Sequence, residues 1–349
     1  MVTLTPSVGR QMDRVARRFG YRVFPDWVLH PSQIKEIESS DEMQSSSSVP
    51  EEAEDYLRAT NPRLLELRKL YSGLDPDVGT PLLWTEKFAA KPNLIHFRGD
   101  NMWIHQRNSQ YLHERTYSLA TYYALANDRL GLMKTFSEDG AFGAVTFAVA
   151  DQCVSRDLLD SSLEIDFLDR HLHLAGRKDY SILDIGAGYG RLAHRVMTAF
   201  PSWSMYRCTD VVAESSFVCE YYMRYRGLEN RVKLVPATEI DRELSSTHID
   251  LAINVHSFSE CTLQAVGWWI NRLANHGVTH LLIVPNAGNH GGQLLCNNVG
   301  EDMLPIVEKN RYKLIARESK YQDATVQKFG MNPTYYWLFQ LEADSKNLH

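Results

Sequence analysis

The stretch LDIGAGYGRLAHRV, residues 183–196, joins a short apolar run to three alternating glycines and then to an amphipathic helical pattern. Glycines that follow a strand let the backbone turn sharply and approach a phosphate or nucleoside closely. The glycines are Gly186, Gly188 and Gly190, so their spacing is G-x-G-x-G. The dinucleotide fingerprint is G-x-G-x-x-G, and Arg191 occupies the position of its third glycine. The spacing therefore disfavours a NAD-dependent reductase.

The C-terminal half alternates short β-rich runs with amphipathic helical patterns. Strand-like runs begin near residues 181, 204, 231, 249, 279, 312 and 335, and helical patterns cover 190–200, 213–226, 262–275 and 301–310. This alternation predicts βαβ units around a parallel sheet. The loop before the last run has no convincing helix, which favours an antiparallel final pair. The predicted fold class is α/β, a Rossmann-like domain with a seven-stranded mixed sheet.

The N-terminal half is mainly helical by its apolar periodicity. Residues 111–133 and 156–176 each show one buried helix face, and Gly176 is a candidate C-cap. Residues 138–147, EDGAFGAVTF, have the composition of a loop, and residues 36–56 are acidic and serine-rich, as in a linker or mobile segment. We predict a helical cap and substrate region over 1–176 and a ligand-binding domain over 177–349.

The composition excludes several classes of function. The net charge is −6, whereas nucleic-acid-binding proteins usually carry a basic surplus. No apolar run is long enough for a membrane span, and the N-terminus lacks the apolar core of a signal peptide. The five cysteines are scattered without a C-x-x-C pair. We expect a cytoplasmic protein with a small-molecule or oligosaccharide acceptor and without a nucleic-acid or membrane partner; a homodimer stays open.

Two carboxylates flank the glycine turn. Asp184 precedes Gly186 by two residues and can meet a ligand's ammonium group. Asp210 ends the second predicted strand, where a carboxylate can bind ribose hydroxyls or, alternatively, cap the next helix. Acidic-x-Gly-x-Gly-x-Gly with these neighbours resembles motif I of the class I S-adenosylmethionine-dependent methyltransferases. The resemblance implies S-adenosylmethionine as cofactor and S-adenosylhomocysteine as product; the alternative is a tight turn without a ligand.

The same resemblance implies the remaining cofactor contacts. The glycine turn would face the methionine and ribose, the loop after the third strand would face adenine, and the end of the fourth strand would lie beside the turn. These positions are Asp184, Gly186, Ala187, Gly188, Gly190, Asp210, Ala237, Thr238, Asn254 and Val255.

The segment NVHSFSEC after the fourth strand carries the candidate catalytic residues. It lacks the Asn/Asp-Pro-Pro-aromatic motif common in methyltransferases that act on amino nitrogens. An alcohol is a poor nucleophile and needs a base, which near neutral pH is usually histidine. His256 is the candidate base, and Glu260 would share its face if the segment is an α-helix, fixing the imidazole tautomer. His290 in VPNAGNHGGQLL is the second candidate base.

Two alternatives for His256 stay open. It could cap the helix start, or it could hold a divalent metal ion together with Glu260; we predict no metal site. The glycine-rich loop around His290 suits a hydroxyl-rich acceptor, although the same residues could simply form a turn.

Residues 100–343 resemble the bacterial sugar O-methyltransferases of polysaccharide and glycosylated-metabolite pathways. The segments that carry the resemblance are VSRDLLDSSLEIDFL, LDIGAGYGR, NVHSFSE and NAGNHGG leading to YYWLFQLE. It implies methyl transfer to a sugar or glycoside hydroxyl, with the SRDLLDS helix start walling the cofactor pocket and Arg156 facing the ligand. The alternatives are a surface position for Arg156, a phenolic or polyketide acceptor, a metal-assisted reaction, and a catalytically silent cofactor-binding subunit.

Overall fold

The computed structural model of the chain describes residues 49–79, 82, 93–99, 103 and 114–343. Most of the serine-rich segment 36–56, and the start of the helix predicted at 111, lie outside these described residues. The end of the serine-rich segment is not a linker, because Glu51–Tyr56 forms helix α1. Ala53 is buried, and the Tyr56 ring stacks on Phe217 at 5.4 Å between centroids. These apolar contacts hold the helix against the C-terminal half.

The described N-terminal elements are mainly helical, as predicted. After α1 come α2 (Pro62–Tyr71), α3 (Pro76–Gly79), α4 (Glu114–Asn127) and α5 (Leu132–Thr135), then the antiparallel hairpin β1 (Thr146–Val149) and β2 (Gln152–Ser155). Asn61 caps α2 by accepting a hydrogen bond from the Arg63 amide, and Pro62 occupies its first turn. The loop prediction for 138–147 is wrong at its end, because Thr146 begins β1.

Helix α6 (Arg156–Leu172) is the long helix before the sheet. It begins where the Ser155 side chain accepts a hydrogen bond from the Leu158 amide. It ends earlier than the sequence indicated, because His173 adopts the left-handed conformation at φ 55° and caps the helix. Gly176 therefore does not cap α6; it lies in a short 3₁₀ turn, Leu174–Gly176.

Seven strands form one mixed sheet, which confirms the predicted fold class. The strands are β3 (Ile182–Ile185), β4 (Tyr206–Thr209), β5 (Val232–Leu234), β6 (Leu251–Val255), β7 (His280–Val284), β8 (Tyr312–Ser319) and β9 (Tyr335–Leu341). Their order is β5-β4-β3-β6-β7-β9-β8. The pairings among β3, β4, β5, β6 and β7 are parallel, whereas β9 pairs antiparallel with both β7 and β8.

Helices cover both faces of the sheet. They are α7 (Arg191–Ala199), α8 (Ala213–Tyr225), α9 (Ile240–Ser246), α10 (Leu263–Asn275), α11 (Leu304–Lys309) and α12 (Ala324–Phe329). The four helices predicted in this half correspond to α7, α8, α10 and α11. The sequence patterns missed α9 and also α12, which is the six-residue helix between β8 and β9.

Alternate residues of β3, β6, β7 and β9 pack into two different apolar clusters. In β3, Ile182 faces the cluster that contains α6, α7 and α8, and Leu183 faces the cluster that contains α9, α10 and α11. The first cluster also includes residues from α1, α2 and α4, so it crosses residue 176. The division into two regions at 176/177 stays a prediction. No helix among the described residues has both the length and the apolar character that a membrane span needs.

Candidate active site

Position 186, the first glycine of the turn, has no room for a side chain because a neighbouring loop packs against it. Gly186 follows β3 with φ 70°, and its amide donates a hydrogen bond to the Thr209 carbonyl at 2.8 Å. A Cβ on Gly186 would lie 2.0 Å from Oγ of Ser257, in the loop after β6. Only glycine fits this approach of two loops at the carboxyl edge of the sheet.

The other two glycines have different surroundings. Gly188 has φ 58°, and its amide donates to Asp210 at 3.1 Å. Gly190 precedes α7 with φ 83°, and a Cβ there would lie 2.9 Å from Met223 Cε. Gly190 thus permits α7 to pack closely on α8, a role in packing rather than in the cavity wall.

A cavity opens where the carboxyl ends of β3, β4 and β6 meet the start of α6, the place where ligands bind in open α/β sheets. Nine of the predicted site residues line it: Arg156, Asp184, Gly186, Ala187, Gly188, Asp210, Val255, His256 and Glu260. Predicted residues outside the described lining are Gly190, Ala237, Thr238, Asn254 and His290. Lining residues that were not predicted include Trp103, Asp157, Asp160, Arg191, Val211 and Ser215.

Asp184 is a buried carboxylate at the end of β3. The Tyr206 hydroxyl donates a hydrogen bond to its Oδ2 at 3.0 Å. Burial raises the pKa of Asp184 to about 7, and the Tyr206 hydrogen bond and the charge of Arg191 only partly oppose this. Arg191 itself is engaged by Glu164 of α6, at 2.8 Å. A ligand that brings positive charge or hydrogen-bond donors would favour the ionised form of Asp184.

Asp210 lies just after β4 and ties two backbone segments together. Its Oδ2 accepts from the Gly188 amide at 3.1 Å, and its Oδ1 accepts from the Val212 amide at 2.9 Å, immediately before α8. Burial raises its pKa to about 7, despite these two amides, and the charge of Glu260 adds to the rise. The side chain therefore supports the start of α8 and the glycine turn while it lines the cavity.

Three residues that were predicted to contact the cofactor do not line the cavity. Asn254 is fully buried; its Nδ2 donates to the Ile185 carbonyl at 2.9 Å, and its Oδ1 accepts from the Phe258 amide at 2.8 Å. Asn254 thus joins β3 to the loop after β6. Ala237 is buried in the apolar cluster beneath α9, and Thr238 is exposed in the short turn Ala237–Glu239.

The start of α6 forms one wall of the cavity. Arg156 Nε lies 3.2 Å from Asp160 Oδ2, so the surface alternative for Arg156 does not describe it. Asp160 also pairs with the ammonium group of Lys320, which is buried at the end of β8. Burial alone would raise the pKa of Asp160, but the charges of Lys320 and Arg156 hold it well below its usual range.

A buried ion network anchors this wall to the rest of the N-terminal region. The guanidinium of Arg98 has no exposed surface and contacts Asp157 Oδ2 and Glu138 Oε2, both at 2.8 Å. Arg195 of α7 contacts the same Glu138 carboxylate at 3.0 Å. Burial opposes ionisation of Asp157, but Arg98 lowers its pKa below the usual range. The network fixes the orientation of the helix start that faces the cavity.

His256 lines the cavity just beyond β6. Its backbone has φ 70° and ψ −35°, a conformation that costs energy for a residue with a Cβ and is often found at functional sites. Its amide donates to the Val284 carbonyl at 2.7 Å. Burial lowers the pKa of the imidazole to about 3, and the charge of Arg156 lowers it further against the opposing effect of Asp160. The imidazole is therefore neutral near physiological pH.

The predicted pair between Glu260 and His256 does not form. Ser257–Glu260 is a 3₁₀ turn, and its three residues per turn rotate the fourth residue away from His256 instead of onto the same face. Nδ1 of His256 is buried without a hydrogen-bond partner in the described part of the chain, and Nε2 lies 3.4 Å from Nδ2 of Asn332. The charge of Glu260 acts instead on Asp210 and Cys261.

His290 is turned toward its own loop. Its Nε2 lies 3.2 Å from Sγ of Cys296, and its Nδ1 lies 3.4 Å from the Leu294 amide that donates to it. His290 is not among the described residues that line the cavity. Across the described residues, no three histidine, cysteine or acidic side chains are grouped as metal ligands would be.

Comparisons with known proteins concern the fold. No protein-family model and no curated protein sequence matches the chain. Among solved structures it is similar to a geranyl diphosphate methyltransferase in complex with SAM, at 13% identity and TM-score 0.38, over 53% of this chain and 86% of that one.

It is likewise similar to an S-adenosylmethionine-dependent methyltransferase from Clostridium acetobutylicum, at 13% identity and TM-score 0.38, over 52% of this chain and 91% of that one. A third is the [4+2]-cyclase SpnF, at 13% identity and TM-score 0.37, over 54% of this chain and 84% of that one.

Proposed function

We propose that this chain is an S-adenosylmethionine-dependent O-methyltransferase that acts on a hydroxyl group of a sugar or glycoside. The observation that carries the proposal is the cavity at the carboxyl edge of the sheet. There the glycine turn, the carboxylates of Asp184 and Asp210, and the neutral imidazole of His256 surround one space.

The charge of the cavity supports a cationic cofactor. Its described lining contains five carboxylates, Asp157, Asp160, Asp184, Asp210 and Glu260, against two arginines, Arg156 and Arg191. Asp157 and Asp160 pair with Arg98 and Lys320, whereas Asp184 and Asp210, once ionised, would favour a cationic ligand over the pyrophosphate of a dinucleotide. S-adenosylmethionine carries an ammonium and a sulfonium, and when bound it supplies a methyl group that is activated for transfer.

Each lining residue lies where it could bind a different part of the cofactor. Asp184 is suited to the ammonium end, Arg156 at the start of α6 to the carboxylate, and Asp210 to the ribose hydroxyls. Trp103, which donates a hydrogen bond to Ser215 at 2.9 Å, adds an aromatic wall near the start of α8. Thr238 and Ala237 have no part in this proposal.

His256 is the proposed base for the acceptor hydroxyl. A neutral imidazole can accept the hydroxyl hydrogen, and the Asp160 carboxylate, which raises the pKa of His256, would stabilise the imidazolium as the proton arrives. Asp160 thus takes the stabilising role that the sequence assigned to Glu260. We do not propose a metal-assisted reaction, because no three histidine, cysteine or acidic side chains among the described residues are grouped as ligands.

Calorimetric titration of the full-length chain tests the cofactor. We expect binding of S-adenosylmethionine and S-adenosylhomocysteine but not NADH. Asp210→Ala should weaken binding by about 1–3 kcal/mol, the value of a charge-assisted hydrogen bond. The matched control is Asp55→Ala, whose carboxylate is 81% exposed on α1. Thermal melting must accompany the titration, because Asp210 also supports α8. Tight NADH binding without S-adenosylhomocysteine binding would contradict the proposal.

Methyl transfer from labelled cofactor to a panel of sugars, glycosides, phenols and polyketides tests the acceptor. We expect product only with hydroxyl-rich acceptors, and about 10²–10⁴-fold lower turnover for His256→Ala with unchanged cofactor affinity. His248→Ala, with a side chain 69% exposed, is the control. Transfer to phenols alone would replace the sugar proposal, and cofactor binding without transfer to any acceptor would favour a silent subunit.

A further inference from the structure

A turn between α12 and β9 reaches the imidazole of His256. Asn332 in this turn has φ 47°, a left-handed conformation that asparagine tolerates better than most residues. Its Nδ2 lies 3.4 Å from Nε2 of His256 and 3.4 Å from Oδ2 of Asp160. One side-chain amide therefore faces both the candidate base and the carboxylate beside it.

Two buried side chains hold this turn in place. The ammonium of Lys320 donates hydrogen bonds to the carbonyls of Met331 at 3.0 Å and Asn332 at 3.2 Å, and it also pairs with Asp160. The Tyr321 hydroxyl donates to the same Met331 carbonyl at 2.6 Å. Three hydrogen bonds thus fix the backbone of residues 331–332, and the amide is presented from a rigid turn.

The charge of Asp160 decides which way the Asn332 amide points. Asp160 is ionised, so it can only accept hydrogen bonds. An amide oxygen turned toward it would meet a carboxylate oxygen, whereas the amide nitrogen has two hydrogens to offer. One hydrogen faces Asp160, and the other faces Nε2 of His256. Because Nε2 receives a hydrogen there, the neutral ring carries its own hydrogen on Nδ1.

We propose that Asn332 is a positioning residue that selects the Nδ1–H tautomer of His256, so that Nε2 is the atom that accepts the hydrogen of the acceptor hydroxyl. This rests on the proposed function for its catalytic part only. The acceptor hydroxyl would replace the long Asn332 contact at Nε2 and lie on the Asp160 side of the ring. The O–H bond breaks as the O–C bond forms, the sulfur–carbon electron pair stays on sulfur, and the proton ends on Nε2.

The charged groups around the ring fit this assignment. Burial is the largest effect that lowers the pKa of His256, and the charged groups that act on it are Arg156 and Asp160 of α6, Arg191 of α7, and Lys320, which follows β8. Three of them are cationic and keep the ring neutral, with a lone pair on one nitrogen. Nδ1 has no partner in the described residues in either tautomer, so the contact at Nε2 determines which nitrogen carries the hydrogen.

Long-range proton–nitrogen correlation spectra of the ligand-free, full-length chain, labelled at its histidine ring nitrogens, report the tautomer directly. The chain has 13 histidines, and the His256 signals are those lost in His256→Gln. We expect the Nδ1–H pattern at neutral pH. Asn332→Gly removes the amide without straining the positive φ, and it should shift His256 toward the Nε2–H pattern. Asn271→Ala, in the exposed part of α10, should leave the pattern unchanged.

The spectrum tests the tautomer of His256, and the methyl-transfer assay tests the proposed function, so the two proposals can fail separately. An Nε2–H or imidazolium pattern in the wild type, or an unchanged pattern in Asn332→Gly, overturns the assignment even if the chain transfers methyl groups. If Asn332→Gly does not fold, the wild-type spectrum still decides. With an active acceptor, Asn332→Gly should lower turnover up to about 10²-fold at unchanged cofactor affinity, while Asn271→Ala keeps full turnover. Full turnover in Asn332→Gly would contradict the positioning role.

Discussion

Gly186→Ala should destabilise the chain through two separable effects. The first is backbone strain at φ 70°, which costs about 1–2 kcal/mol for a residue with a Cβ. The second is a clash, since the new Cβ would lie 2.0 Å from Oγ and 2.4 Å from Cβ of Ser257. Relief of such crowding in a packed region costs about 1–3 kcal/mol. The expected loss is therefore roughly 2–5 kcal/mol, or a melting temperature lower by roughly 3–7 °C for a chain of this length.

A double-mutant cycle with Ser257→Gly isolates the clash. Ser257 contributes its own contact, since Asn254 donates to its Oγ at 2.5 Å, so the single variant Ser257→Gly is also destabilised. In the double variant the clash is absent, and the free energies of unfolding should show a favourable coupling of about 1–3 kcal/mol. Gly227→Ala is the control for strain alone, because φ is 66° and no atom lies within 4 Å of its Cβ.

Denaturant unfolding of the four proteins in the cycle and of the Gly227→Ala control provides the free energies. Additivity within about 0.5 kcal/mol would mean that Gly186 and Ser257 do not compete for the same space. A loss for Gly186→Ala no larger than that for Gly227→Ala would refute the crowding at the carboxyl edge of the sheet.

Two further predictions concern protons. With its pKa near 3, His256 is already neutral at pH 5, so turnover at saturating cofactor should not rise with pH around the ordinary histidine pKa. A rise in turnover centred at about pH 6.5 would contradict the lowered pKa of His256. Burial raises the pKa values of Asp184 and Asp210 to about 7. If the cofactor binds their ionised forms, its affinity should rise with pH, by about 10-fold between pH 6 and 8 for one carboxylate and about 100-fold for both. Calorimetry in buffers of different ionisation enthalpy should detect proton release at pH 6, and a pH-independent affinity would argue against ionised carboxylates in the complex.

The sheet and the position of the cavity could be predicted because they depend on local patterns. The local apolar patterns predicted the seven strands and four of the helices that connect them. Parallel strands bring their carboxyl ends to one edge of the sheet, which gives the position of the cavity. Asp184, Asp210 and His256 each end or follow a strand, so their convergence required no knowledge of side-chain packing.

The side chain that contacts His256 could not be predicted from residue spacing. A four-residue separation predicts a contact only in an α-helix, and the segment after His256 forms a 3₁₀ turn. The contact that forms instead is with Asn332, which is distant in the sequence and lies in a turn held by Lys320. The positive φ of Asn332 and the buried lysine are consequences of tertiary packing, so no local pattern identifies them.

The buried guanidinium of Arg98 has a consequence for how such a chain can diversify. Its contacts with Glu138 and Asp157 join a segment far upstream of the sheet to the helix start that walls the cavity. Exchange of the segment that contains Arg98 alone would leave the carboxylates of Glu138 and Asp157 in the interior without this counter-charge, and loss of one partner from such a cluster typically costs about 3–5 kcal/mol. A recombined chain would therefore need a compensating cation at the same place. Replacement of the whole region 1–176 would instead remove Arg98, Glu138 and Asp157 together and leave the buried guanidinium of Arg195 without the Glu138 carboxylate.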